Sequence, residues 1–193
     1  LNLAFLPMHI LKELVYIDLS DNLLDWSIFC RENKTERFFR NHPFLESVYL
    51  RNTSLIEIKC LGLNSLDAKY LLDLSNNLIE IIEKDLFSLN NCIVHLDLSE
   101  NLIKFIRPES FQYLSCLQTL TIDGNSLTDA EQLNFSKLHK LDYLNMSYAK
   151  LTRLPIFDLS KKDISMNKQY DLESIYLDHN LIESISAIHF DNL

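Results

Sequence analysis

Apolar and polar residues alternate in short runs that recur along the whole chain. In the stretch YLLDLSNNLIEIIEKDLFSL from Tyr70, Leu72 and Leu74 fall on one side and Asp73 and Ser75 on the other. That two-residue period is the mark of a half-buried strand. Asn77 and Ile79 follow at fixed offsets, and Phe87 lies ten residues past Asn77. One such segment cannot bury its apolar side alone, but it does not occur once. Copies of L-x-x-L-x-L-x-x-N-x-L begin at Leu14, Leu45, Lys69, Ile93, Leu117, Leu141 and Leu172, spaced by 31, 24, 24, 24, 24 and 31 residues. Strand positions 4 and 6 are Ile17/Leu19, Val48/Leu50, Leu72/Leu74, Leu96/Leu98, Leu120/Ile122, Leu144/Met146 and Ile175/Leu177. Position 11 is Leu24, Leu55, Ile79, Ile103, Leu127, Leu151 and Ile182, so every core position is aliphatic or Met. A helix bundle would need a 3.6-residue period, which the strand segments lack.

This pattern resembles the leucine-rich repeat family over nearly the whole chain. Its 24-residue period, with Phe at position 19, is similar to the typical subclass found mostly in secreted proteins and receptor ectodomains. The resemblance implies an α/β leucine-rich-repeat solenoid of about seven to eight coils. A curved parallel β-sheet would line its concave face, with loops and short 3-10 or helical turns on the convex face. Residues 1–193 are expected to form one solenoid domain. Phe87, Phe111, Phe135 and Phe190, with Leu63 in the second coil, would stack as a spine behind the sheet. Neither end shows the Cys-rich cap usual in extracellular members. The expectation is therefore a piece of a longer array, or ends covered by a partner.

Position 9 has its own physical task. A buried Asn amide there can satisfy backbone groups of its own coil and its neighbour that no ladder reaches. Asn22, Asn77, Asn101, Asn125 and Asn180 fit; Thr53 is a partial substitute and Ala149 is none. A local irregularity is expected at Ala149, either a bridging water or a shifted turn. The two 31-residue coils carry irregular insertions, about 30–44 and 156–170, both with several basic residues. Insertions in repeat arrays map to loops on one face, as partner contacts or as solvated turns.

Charge narrows the partner. Lys plus Arg total 18 against 27 Asp plus Glu, a net charge of -9, which disfavours nucleic acid and anionic lipid. No run approaches a membrane span, so this segment is expected not to insert. Enzyme signatures are missing: no phosphate-binding glycine loop, no C-x-x-C, no H-E-x-x-H and no G-x-S-x-G. The six histidines lack metal-ligand spacing. No catalytic residue, metal or cofactor is assigned.

The four cysteines divide into two pairs. Cys30 opens the first insertion and Cys60 lies on the back of the next coil, so a bridge would pin the loop in an oxidising compartment. Cys92 and Cys116 sit one period apart, within disulfide reach at the coil spacing. In-register side chains run parallel, however, and two reduced thiols are expected there. The sequons at Asn33, Asn52, Asn134 and Asn145 fit glycosylation in a secreted protein or, equally, unmodified surface residues. Asn145 lies on the outward side of a strand, where a glycan would block that part of the concave face.

Positions 2, 3, 5, 7 and 8 should project from the concave side. Contact candidates there are Tyr16, Asp18, Tyr49, Arg51, Asp73, His95, Asp97, Tyr143, Tyr176 and Asp178, with Asp123 and Tyr148 beside them. Two tyrosine-rich ends thus flank an acidic middle. Tyrosine offers large contact area with few rotamers to freeze, and exposed carboxylates would steer a basic partner. The chain resembles Toll-type ectodomains and insect leucine-rich immune proteins. That implies an extracellular innate-immune recognition module for a protein ligand or another repeat chain. An adhesion or guidance ectodomain is the alternative; an intracellular scaffold fits the sequons and potential disulfide less well.

Overall fold

The computed structural model describes residues 13–30, 39, 42, 44–63, 71–84, 86–87, 92–127, 133, 135, 137–155 and 172–185. Seven three-residue strands form one parallel sheet: β1 (Tyr16–Asp18), β2 (Ser47–Tyr49), β3 (Leu71–Asp73), β5 (His95–Asp97), β7 (Thr119–Thr121), β8 (Tyr143–Asn145) and β9 (Ser174–Tyr176). Each coil adds one strand, in chain order. Register is strict, with Leu72 opposite Leu96 and Leu96 opposite Leu120, so each repeat position stacks on itself. A second parallel pair, β4 (Ile81–Ile82) and β6 (Phe105–Ile106), joins two neighbouring coils after the turn. Among the described residues the remaining regular elements are 3-10 turns at Trp26–Ile28 and Ile58–Leu61.

The predicted core positions fill the interior. Val48, Leu72, Leu96, Leu120 and Leu144 at position 4 are buried, as are Leu50, Leu74, Leu98, Ile122 and Met146 at position 6. In the last coil Ile175 and Leu177 are only partly covered. Leu63, Phe87, Phe111 and Phe135 are buried, and the Phe87 and Phe111 rings lie 6.2 Å apart. Phe190 lies outside the described residues. Leu74→Ala should cost about 2–5 kcal/mol, because a stacked coil cannot close around the void.

Position 9 supplies the cross-links between coils. Asn77 accepts at Oδ1 from Thr53 N, Thr53 Oγ1 and Leu55 N of the preceding coil, at 2.9–3.1 Å. Its Nδ2 donates to Leu50 O of that coil and to Leu74 O and Ser75 O of its own. Asn101, Asn125 and Asn180 repeat this bridge. Asn22 bonds within its own coil.

The two coils without Asn solve the same problem with backbone. Ser54 and Lys150, at position 10, have φ values of 60° and 58°, and the carbonyl before each points to the preceding coil. Leu127 N donates to Ala149 O at 2.9 Å, where an Asn would have offered its amide oxygen. Trp26 Nε1 donates to Thr53 O at 2.8 Å in a buried bond. The expected irregularity at Ala149 therefore takes the form of a left-handed residue. Such a backbone costs a residue with Cβ about 1–2 kcal/mol. Lys150→Gly is expected to raise the melting temperature, and Asn101→Ala to lower it by stranding several buried groups at about 1–3 kcal/mol each. Thermal denaturation of both variants checks the pair.

Both cysteine pairs are bridged. Cys30–Cys60 joins the start of the first insertion to the next coil, with Cα atoms 4.5 Å apart. Cys92–Cys116 is also a disulfide, with Cα atoms 5.0 Å apart, and no free cysteine remains. The expectation of two reduced thiols is thus corrected. Parallel stacking brings equivalent Cα atoms within bridging distance, and rotation about Cα–Cβ turns the sulfurs together. Thiol titration of the denatured, unreduced protein should find no reactive cysteine; two per chain would restore the reduced pair.

Candidate functional site

The concave face is built from alternate residues of the seven short strands, because those facing the core leave positions 3 and 5 outward. Tyr16 and Tyr49 sit diagonally on adjacent strands with ring centroids 5.2 Å apart. Tyr143 and Tyr176 repeat this arrangement at the other end, again at 5.2 Å. Tyr16 and Tyr176 are about half exposed, at 53% and 46%. Burial first, then Asp18 and Tyr49, pushes the Tyr16 phenol up; burial, then Tyr176 and Asp123, does so for Tyr143. Asp73, Asp97 and exposed His95 lie on the central strands, with exposed Arg51 in the turn after β2.

The carboxylates are not equivalent. Asp73 Oδ1 accepts from Ser75 N at 2.9 Å and Ser75 Oγ at 2.6 Å, and Asp97 treats Ser99 likewise at 2.9 and 2.7 Å. Both fasten their own turns, which the alternation could not reveal. Asp18 accepts from Ser20 N, which holds its carboxyl below the ordinary aspartate value. Asp178 accepts from Ser147 Oγ and pairs with His179 Nδ1 at 2.7 Å, and these contacts hold its carboxyl down. Asp123 goes the other way: burial first, then Asp97, Glu100 and Asp178, raise it.

Position 8 carries a feature that sequence reading missed. Asp21, Asn52, Asn76, Glu100, Gly124, Tyr148 and His179 all have positive φ, between 51° and 66°. In the first six coils their N–H groups continue the ladder: Glu100 N donates to Asp123 O and Tyr148 N to Asp178 O. Gly, Asn and Asp tolerate this conformation, whereas a tyrosine does so at a cost. Yet Tyr148 is there, stacked on His179 with ring planes 8° apart and centroids at 4.1 Å. A signal did exist in the sequence, two aromatic rings where small polar residues usually stand.

Two sequons fall on described residues. Asn52 is exposed in a turn and donates to Asp21 Oδ1 at 2.9 Å. Asn145 lies on β8, with Oδ1 accepting from Ser147 N at 3.0 Å. Asn33 and Asn134 are outside the described residues, as is most of both insertions. Among the described residues, no cluster of three or more His, Cys, Asp or Glu is placed to hold a metal ion. No described helix is long and apolar enough to cross a membrane. A side cavity of about 260 Å³ lies between adjacent coils on another face, lined by Ile56, Ile81 and the Glu57–Lys59 pair.

The leucine rich repeat profile matches residues 70–127, and the same motif stacks in register through all seven strands, which makes the fold a leucine-rich-repeat solenoid. That fold resembles a Toll-type ectodomain. The crystal structure of a TLR13–ssRNA13 complex superposes with a TM-score of 0.65 at 24% identity, over 92% of this chain and 23% of that one. The functional domain of InlJ from Listeria monocytogenes, which includes a cysteine ladder, gives 0.55 at 15% identity, over 94% of this chain and 38% of that one. This chain therefore spans about a quarter of the TLR13 chain. Comparison with curated proteins gives no match.

Two acids should respond to pH with opposite signs. A carboxyl raised in the folded state costs stability as pH rises through its value. Asp123→Asn should therefore raise the melting temperature at pH 7, with the gain disappearing below the carboxylate range. The lowered Asp178 carboxyl contributes stability above its unfolded value, lost as pH falls through the folded one. Asp178→Asn should lower the melting temperature at pH 7 and have little effect in acid. Thermal scans of both variants from pH 3 to 7 read the difference.

Proposed function

We propose that the chain is the extracellular recognition part of an innate-immune leucine-rich repeat protein, and that its concave face holds a protein partner. The carrying observation is the pair of diagonal tyrosine contacts at opposite ends of one outward strand face. Such rings gain little from water exposure, and tyrosine is enriched where protein interfaces are tightest. Tyr16, Asp18, Tyr49, Arg51, Asp73, His95, Asp97, Tyr143, Tyr176 and Asp178 form this face in the reading. Two disulfides fit an oxidising compartment, and the Toll-type fold fits an ectodomain. The TLR13 complex holds a single-stranded RNA, so the fold itself does not rule out nucleic acid. Here the preference for protein rests on acidic charge, which repels a phosphate backbone.

A photo-crosslinker placed at Tyr49 or Tyr143, against controls at Lys84 and Arg107, tests the face. Incubation with extracellular fluid should give protein adducts at the concave positions and none at the controls. Adducts at the controls alone, or with cytosolic proteins alone, would contradict the reading. Protein made through a secretory pathway should also lose mass on glycosidase treatment; a glycan at Asn145 would exclude a partner from that part of the face.

A further inference from the structure

The net charge of this protein is carried by one set of repeat positions. Strand and turn positions 2, 3, 5, 7 and 8 of the seven coils hold ten of the 27 acidic residues and one of the 18 basic ones, Arg51. The 17 acids and 17 bases at all other positions of the sequence cancel, so these repeat positions account for the whole charge of -9. Arg51 sits at the Tyr16–Tyr49 end, on the coil of Tyr49. The last three coils carry Asp123, Asp142, Glu173 and Asp178 at these positions and no Lys or Arg.

Aromatic rings gather at that same end. Tyr143 and Tyr176 pair on the strands, and Tyr148 stacks on His179 in the turns. Gly124 N donates to Ser147 O and Ser147 Oγ to Asp178, so Asp123, Ser147 and Asp178 stand at position 7 of three successive coils, the last two of them the rings' own. Tyr148 keeps φ at 52°, where glycine or asparagine would be unstrained.

We propose that this corner, Tyr143–Tyr176 with Tyr148–His179 around Asp123 and Asp178, is the seat for an arginine side chain on a basic protein partner. This deepens the concave-face reading and rests on it. Guanidinium suits the site better than ammonium: it is planar, stacks on aromatic faces and pairs with carboxylates through a rigid fork. Asp178 is already held by Ser147 and His179, and half-buried Asp123 is the second carboxylate of the corner. Burial first, then three acidic neighbours, raises its carboxyl, and a bound cation relieves the repulsion among those neighbours.

The test uses the disulfide-intact chain made without N-glycans, titrated with fluorescent hexa-arginine and hexalysine peptides. Hexa-arginine should bind about fivefold more tightly than hexalysine, and Tyr176→Ala should remove about that factor. Asp123→Asn should weaken hexa-arginine by a similar or larger amount, and binding to the parent chain should lower the Asp123 pKa seen by NMR. Tyr16→Ala, at the opposite end, should leave the affinity unchanged. Tyr148→Gly relieves the backbone, so it should keep or raise the melting temperature while weakening binding; a purely structural role moves both together. Equal affinity for the two peptides, equal losses from Tyr16→Ala and Tyr176→Ala, or preference for a single-stranded RNA of similar length would overturn the proposal. Crosslinks to an extracellular partner confined to the Tyr49 end would remove this corner alone. Crosslinks off the concave face would remove the broader reading as well.

Discussion

One buried amide serving two coils is the interaction on which the rest depends. A parallel stack of three-residue strands leaves long stretches of turning backbone inside the protein, and unpaired N–H and C=O groups there are expensive. Asn77 alone accepts from three groups of the preceding coil and donates to three carbonyls across both coils. That satisfaction fixes the register, which stacks each repeat position on its counterpart. The concave face is a consequence. Side chains separated by 24 or 31 residues become neighbours about one strand apart, so diagonal tyrosine pairs and acidic strips can form.

The departures show that the requirement is for a carbonyl-type acceptor rather than for asparagine. Where Thr53 and Ala149 stand, a left-handed residue follows and turns the main-chain carbonyl into the vacancy. The local backbone cost is offset by a paired buried donor. The same economy of geometry acts at position 8, where the left-handed conformation carries the ladder around the turn. Six of its seven occupants have a side chain, and those side chains are delivered to the rim of the concave face.

Much of the scaffold was legible because its signals are local and periodic. Leu72, Leu74, Asn77, Ile79 and Phe87 could each be placed from spacing alone, and the structure puts all five in the interior. The tyrosine ends could be read too, since position 3 of one coil and position 5 of the next are fixed once the register is known. Three features could not be read. The Cys92–Cys116 bridge depends on side-chain rotation, which a repeat pattern does not encode. Asp73 and Asp97 look like solvated acids in sequence but cap their own turns. The Tyr148–His179 stack needs the backbone sign at position 8, which only coordinates reveal.

The central claim is that recognition occurs on the aromatic and acidic concave face. Oxidative footprinting of the tyrosines, with and without extracellular fluid from the protein's own source, addresses it most directly. Tyr113, 46% exposed and outside the strands, is the internal control. The account predicts that Tyr16, Tyr49, Tyr143 and Tyr176 become protected while Tyr113 reacts as before. Protection of Tyr113 with the four strand tyrosines unchanged would contradict it.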